Sequence, residues 1–164
     1  RDLVRSRGLG DVYKRQETGL LVSFLSEDGI PFKAAPVKGS YSALNCLYLT
    51  QIDSVFAREQ YHRLKSHFLQ SGLLSGIREY HDYSCWLGFD IDAGPVLFNL
   101  SPSGTAFAVG AATYFNDVRV RNNFLRTAEI AGHSVMWNNT RHYLLAEIAL
   151  VGECIMLAMR TTTP

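Results

Sequence analysis

A segment in the middle of the chain, REYHDYSCWLGFDIDAGP from Arg78 to Pro95, concentrates residue types that could do chemistry. Acidic side chains and a histidine alternate there with large aromatic rings. If residues 89–91 are extended, Asp90 and Asp92 share one face, with Cα atoms about 6.6 Å apart. This is near the ~6.5–9.5 Å carboxyl separation of inverting glycoside hydrolysis, and burial beside aromatic rings would raise the pKa of one carboxyl group, as a general acid requires. We therefore predict Asp90 as a general acid/base and Asp92 as its partner.

Four other side chains of this segment are candidates for binding a substrate: Trp86, Tyr83, His81 and Arg78. The rings suit stacking on a sugar or lining an apolar pocket, and an arginine fork suits a substrate carboxylate. The aromatic residues and the arginine also have structural alternatives, as core residues and as a member of a surface ion pair. The two aspartates have others, namely turn and capping chemistry, and a calcium site completed by Asp82.

Paired helices are the elements that must position this segment. A first helix is predicted over 40–52, with its large residues on the buried face: Tyr41, Leu44, Tyr48 and Ile52. Asp53 is predicted to cap a second helix that ends near Gly72. The apolar stripe of that second helix is Ala57, Tyr61, Leu64 and Phe68.

The same arrangement is predicted again further along the chain. Ser101 and Pro102 begin a helix whose alanine and glycine residues let neighbours approach from several sides, so it is expected to be internal. Asp117 caps the next helix, which ends at Gly132. The apolar positions of that helix are Val120, Phe124, Ala128 and Ala131. A hairpin around Asn138 and Asn139 and a last helix over 146–160 complete the pattern.

These elements predict a mainly α fold, an incomplete (α/α) toroid of about two and a half helical hairpins with short β-hairpins between the helix pairs. The stretches FDIDAGPVLFNLSPSGTAFAVGAATYFND, IDSVFAREQY and GECIMLAMRT resemble the C-terminal half of an (α/α)6-toroid enzyme. They are most similar to toroid domains of the linalool dehydratase/isomerase-like kind, and more distantly to glycoside hydrolases and glucuronyl hydrolases that share the ring. The resemblance covers about residues 17–164 and implies a small-molecule substrate, bound where loops meet the inner end of the ring.

Three functions follow as hypotheses. The first is an enzyme fragment that acts on a carbohydrate or a similar hydroxylated small molecule by carboxylate acid/base chemistry. The second is a lyase or isomerase of the linalool dehydratase kind, which predicts a cysteine facing the cavity and membrane helices upstream. The third is a non-catalytic helical-repeat scaffold, which predicts no convergent acidic pair.

The first residues of the chain differ in charge from the rest. Residues 1–16 hold five basic and two acidic side chains, a net +3 within a total of +1, which leaves the remaining residues at −2. Ser6 to Gln16 resembles, residue for residue, a translated sequencing adapter. We therefore expect residues 1–16 to be non-native and residues 17–164 to be a C-terminal fragment of the toroid domain. Without this segment, no nucleic-acid partner is expected, and membrane contact is expected only through a missing upstream part.

The cysteines indicate neither a disulfide framework nor a zinc site. Cys46, Cys85 and Cys154 are widely spaced and odd in number, without C-x-x-C spacing. We predict that they are small buried residues, and we expect no metal ion and no cofactor.

Overall fold

The computed structural model describes residues 18–32, 35–91, 93–143 and 146–161. Five helices form within these residues: α1 (Gly39–Leu49), α2 (Ser54–Phe68), α3 (Pro102–Tyr114), α4 (Val118–Ala131) and α5 (Ala146–Thr161). Three antiparallel strand pairs lie between the helices: β1 (Leu69–Gln70) with β2 (Gly76–Ile77), β3 (Leu87–Asp90) with β4 (Gly94–Leu97), and β5 (Ser134–Trp137) with β6 (Thr140–Tyr143). The predicted helical fold with short strand pairs is confirmed at this level. The adapter-like segment lies outside the described residues.

Helix α3 lies at the centre of the molecule and packs against α1, α4 and α5. Its small side chains allow this, because a helix surface without bulk lets neighbouring backbones approach closely. At Gly110 an added Cβ atom would stand 2.5 Å from the sulfur of Met159 on α5 and 3.1 Å from a methyl group of Leu47 on α1. The buried residues of α3 are Ser103, Gly104, Thr105, Ala106, Ala108, Val109, Gly110, Ala111 and Ala112. The prediction of an internal helix is confirmed.

The three predicted helix caps are all formed. The Asp53 carboxylate accepts hydrogen bonds from the N–H groups of Val55 and Phe56, both at 3.0 Å. Ser101 caps α3 and Asp117 caps α4 in the same way. Each cap satisfies N–H groups that have no partner inside the helix, so these residues fix where α2, α3 and α4 begin.

The buried face of α1 differs from the prediction. Tyr48 is 62% exposed, and Ile52, which lies beyond the end of the helix, is 73% exposed. The buried residues are instead the small ones, Gly39, Ser40, Ser42, Ala43 and Cys46. Because α1 packs against the small-residue surface of α3, its own small side chains are the buried ones, whereas Tyr48 stays exposed.

The outer helices agree more closely with the prediction. All four residues of the α2 stripe are buried. In α4, Val120 and Phe124 are buried, whereas Ala128 and Ala131 are half-buried. Helix α2 ends at Phe68 rather than near Gly72, because the chain becomes extended and β1 pairs with β2.

The hairpins depend on residues with positive φ. Asn138 and Asn139 have φ values of 48° and 62°, as a two-residue type I′ turn between β5 and β6 requires. The predicted turn is confirmed. Near the start of the described residues, an antiparallel bridge joins Leu25 and Pro31. Among the described helices, none combines the length and the apolar character that crossing a bilayer requires.

Candidate functional site

Asp90 is the last residue of β3, where it stands opposite Gly94 of β4. The chain turns at Ile91, so the extended segment that the predicted carboxyl pair requires ends one residue earlier. A hairpin turn here is favoured by Gly94, whose φ of 83° suits glycine. Asp92, the predicted partner, lies outside the described residues.

The Asp90 side chain is buried and forms an ion pair. Both of its oxygens lie 2.8 Å from Nζ of Lys38, and each of the two side chains is only 9% exposed. The Tyr80 hydroxyl donates to Oδ2 at 2.6 Å, and the N–H of Ala93 donates to Oδ1 at 3.1 Å. An acidic group surrounded by donors in this way is held as an acceptor, which suits a base or a positioning role better than proton donation.

Lys38 is placed by contacts from several parts of the chain. It is the residue before α1, and its N–H donates to the Ser23 hydroxyl at 2.9 Å. Its ammonium group lies 5.1 Å from the ring centroid of Phe24 and 5.9 Å from that of Tyr41. Aromatic faces attract a cation at such distances, so these two rings help to hold the Lys38 ammonium group in place beside Asp90.

Glu79 is a second buried carboxyl group near Asp90. It is fully buried, and it accepts hydrogen bonds from the Ser40 hydroxyl at 2.9 Å and from the Ser40 N–H at 3.3 Å. Burial raises the pKa of Glu79, hydrogen bonds from Ser40 and Ser101 act in the opposite direction, and the charge of Asp90 raises it further. The two carboxyl groups therefore have different environments. Asp90 is paired with an ammonium group, whereas burial of Glu79 favours its protonated form.

Tyr80 follows Glu79 in the chain and contacts Asp90 through its hydroxyl group. Its hydroxyl donates to Asp90, and this hydrogen bond, together with burial, raises the pKa of Tyr80. The charges of Asp90, Glu79 and Cys85 act in the same direction. We call Lys38, Glu79, Tyr80 and Asp90 the carboxylate cluster.

Arg78 is not a member of a surface ion pair. The residue is only 6% exposed, its Nη2 atom donates to the carbonyl oxygen of His67, and its guanidinium lies 3.7 Å from the ring centroid of Tyr83. That structural alternative for Arg78 is therefore wrong. His81 is exposed, and its ring centroid lies 5.5 Å from that of His67. We call His67, Arg78, His81 and Tyr83 the arginine cluster.

The ring contact of Trp86 is with a residue that belongs to neither cluster. Trp86 is 58% exposed, and its ring meets the ring of Phe98 edge-on at 5.3 Å between centroids. Along β3 and its turn, Leu87, Phe89 and Ile91 are also exposed, by 60%, 76% and 92%. The core alternative for Tyr83 and Trp86 is therefore wrong, and the Trp86 ring is accessible for stacking.

The structure brings together only some of the predicted residues. Tyr83, His81 and Arg78 share one cluster, whereas Asp90 belongs to the other. Four residues of these clusters were not predicted as site residues: Lys38, His67, Glu79 and Tyr80. Glu79 was visible in the dense acidic segment, but nothing local marks its burial between α1 and α3.

A separate cavity of about 340 Å³ lies between α2, β1 and α4. Lys65 and Asp117 form an ion pair of 2.6 Å in its wall. Its other lining residues are Leu69, Ser71, Ser75, Arg119, Val120, Asn123 and Phe124. None of the predicted site residues lines this cavity.

The cysteines have three different environments. Cys46 is buried, and burial raises the pKa of its thiol to about 12, so it is unreactive. Cys85 is half-buried and Cys154 is exposed, which corrects the prediction for both. Across the described ranges, no group of three or more histidine, cysteine or acidic side chains is arranged to hold a metal ion.

No family model matches the sequence, and no curated protein matches it significantly.

Proposed function

We propose that this chain is part of an (α/α)-toroid enzyme that acts on a carbohydrate or a similar hydroxylated small molecule, with Asp90 as the acid/base carboxylate and Asp92 as its partner. The observation that carries the proposal is the carboxylate cluster. There Asp90 is buried, oriented by Lys38 and Tyr80, and adjacent to exposed aromatic residues. Groups of this kind, held in a fixed geometry beside an apolar surface, are typical of catalytic sites.

The arrangement of the helices supports a toroid. Helices α1, α3 and α5 pack in succession, and α2 and α4 pack beside the helices that precede them. A toroid requires this alternation of inner and outer helices. The buried faces also agree with it, because small residues dominate α1 and α3, whereas α2 buries Tyr61, Leu64 and Phe68.

The proposed chemistry assigns a different role to each of these residues. Asp90, paired with Lys38, accepts a proton from the substrate or from a water molecule. Trp86 stacks on the substrate, and Tyr83, His81 and Arg78 contact it from the other cluster. The hydrogen bond that the Tyr80 hydroxyl donates to the Asp90 carboxylate keeps Asp90 in one rotamer, so that its accepting oxygen stays in a constant position.

Substitution of Asp90 tests this function. Purified protein is assayed for release of reducing ends from a panel of oligosaccharides, and Asp90→Asn should lower kcat by about 10²–10⁴-fold. The matched control is Asp82→Asn, since Asp82 is an exposed carboxylate in the same segment that bonds only locally, to Ser84. Full turnover by Asp90→Asn would overturn the proposal.

A second candidate function is a lyase or isomerase of the linalool dehydratase kind, and the observation that favours it is Cys85. This half-buried thiol lies against β3, since a Cβ atom added at Gly88 would stand 2.6 Å from its sulfur, and its charge contributes in a minor way to the raised pKa of Tyr80. A cysteine, a tyrosine and an aspartate therefore come together beside β3. If this function is correct, Cys85→Ser abolishes conversion of an allylic alcohol such as linalool, whereas Cys154→Ser, at an exposed thiol, leaves it unchanged.

A further inference from the structure

The guanidinium of Arg78 is buried, and no acidic side chain within the described ranges pairs with it. Arg78 is only 6% exposed, and within those ranges its Nε and Nη1 atoms have no hydrogen-bond acceptor. The hydrogen bond of its Nη2 atom goes to a neutral group, the carbonyl oxygen of His67. Arginine is rarely buried unless it is paired, so unsatisfied donors of this kind are suited to binding an acceptor.

Two imidazole rings lie near Arg78. The ring centroids of His67 and His81 are 5.5 Å apart, and burial, His81 and Arg63 lower the pKa of His67, which favours its neutral form. Asp82, the exposed acidic residue of this segment, accepts the N–H of Ser84 at 3.1 Å. The Arg78 guanidinium therefore supplies the positive charge of this group, and its unsatisfied N–H groups can attract an anion.

We propose that the arginine cluster binds a small oxyanion, the carboxylate or phosphate group of an acidic substrate. The inference rests on the proposed function, because the same residues would hold the substrate, and it narrows the substrate class to negatively charged molecules. Two N–H donors of one guanidinium match the oxygens of a carboxylate or a phosphate. The anion would pair with the positive charge of the Arg78 guanidinium.

Tyr83 covers the site in this structure. Its ring lies over the guanidinium, it is 59% exposed, and its φ of 57° is unusual for a residue other than glycine. The backbone beside it is held in place, because the buried amide of Asn99 can donate to the carbonyl oxygens of Tyr83 and Cys85, at 3.2 and 3.1 Å. The Tyr83 ring therefore lies over one face of the guanidinium, on a loop that Asn99 can hold in place.

Direct observation of the Arg78 Nε–H group tests the proposal. In ¹⁵N–¹H correlation spectra, this resonance is assigned by its absence in Arg78→Lys and is followed during titration with D-glucuronate, inorganic phosphate and the neutral control D-glucose. We expect either anion, or both, to shift the Nε–H resonance, and glucose to leave it unchanged. A shift by glucuronate alone identifies a carboxylate site, and a shift by phosphate alone identifies a phosphate site.

Two variants make the test specific. Affinity in the variants is measured by isothermal titration calorimetry, since Arg78→Lys has no Arg78 resonance to follow. Arg78→Lys should weaken anion binding about tenfold, because a lysine cannot reproduce the fork, whereas Arg63→Lys, at a half-exposed arginine paired with Glu59, should not change it. Tyr83→Ala keeps Arg78 in place and should speed exchange of its Nε–H proton with solvent.

No shift of the Arg78 resonance by either anion would overturn the proposal, and so would equal affinity in Arg78→Lys. Because binding is measured without turnover, the result stands apart from the activity of Asp90→Asn. An Asp90→Asn variant that binds the anion and has lost turnover supports both proposals. One that binds the anion and keeps full turnover removes only the catalytic role of Asp90.

Discussion

The carboxylate cluster and the arginine cluster are built from adjacent residues, Arg78, Glu79 and Tyr80, yet their buried charges are balanced differently. Asp90 receives both an ammonium group and two further hydrogen bonds. Arg78 is about equally buried and keeps two nitrogen atoms without an acceptor in the part of the chain that is described. A balanced buried pair contributes to the specificity of the fold, whereas an unbalanced charge is one that a ligand can complete.

The largest effect is expected from breaking the balanced cluster. Lys38→Met removes the ammonium group that pairs with the Asp90 carboxylate, which should lower the free energy of unfolding by about 3–5 kcal/mol. Urea denaturation measures this loss. The double variant with Asp90→Asn removes both charges and should recover most of the lost stability.

The control for Lys38→Met is an exposed ion pair. Arg63 and Glu59 lie 3.1 Å apart on α2 with side chains 42% and 43% exposed. Arg63→Met should cost only about 0.3–0.5 kcal/mol, because solvent screens such pairs. A loss in Lys38→Met no larger than this would show that the pair with Asp90 does not stabilise the fold.

A smaller effect, dependent on pH, is expected at Glu79. Its pKa is raised above the ordinary value of 4.5, so the folded protein retains a proton that the unfolded chain releases as the pH rises. Stability attributable to this group therefore falls as the pH increases through the window between the two pKa values.

Glu79→Gln should remove that fall. Urea denaturation of both proteins from about pH 3 to about pH 8 should show the variant gaining stability relative to the original protein as the pH rises. Parallel curves for the two proteins would mean that the Glu79 pKa is not raised in the folded state.

The smallest effect is expected from the unbalanced charge. Arg78→Met removes a buried guanidinium that no acidic side chain of the described residues pairs with, together with its hydrogen bond to the carbonyl group of His67. The free energy of unfolding, measured in a buffer free of phosphate and carboxylates, should change by less than about 1 kcal/mol. A loss as large as that in Lys38→Met would indicate that Arg78 has a structural role, and the contrast between the two clusters would fail.

Local chemistry explains the features of the fold that could be predicted. Asp53, Ser101 and Asp117 cap helices because a side-chain oxygen reaches the N–H groups two or three residues later, whatever surrounds the helix. Asn138 and Asn139 make a tight turn for an equally local reason, since they tolerate positive φ. Such features depend on neighbours in sequence and can be read directly from it.

The buried face of α1 could not be predicted in this way. Tyr48 and Ile52 suggested an apolar stripe, but the face that packs is the one that complements α3. Similarly, α2 ends at Phe68 because β1 finds a partner in β2, before Gly72 is reached. In both cases a tertiary contact outweighs a local pattern.

For the candidate site, the sequence by itself located the segment from Arg78 to Asp92, because acids, a histidine and aromatic rings are concentrated there. The tertiary structure decided how the charges are paired. It brought Lys38 to Asp90 across 52 positions and enclosed Glu79 between two helices. The physical reason is that burial and charge balance are properties of the packed molecule, and no spacing along the chain reports them.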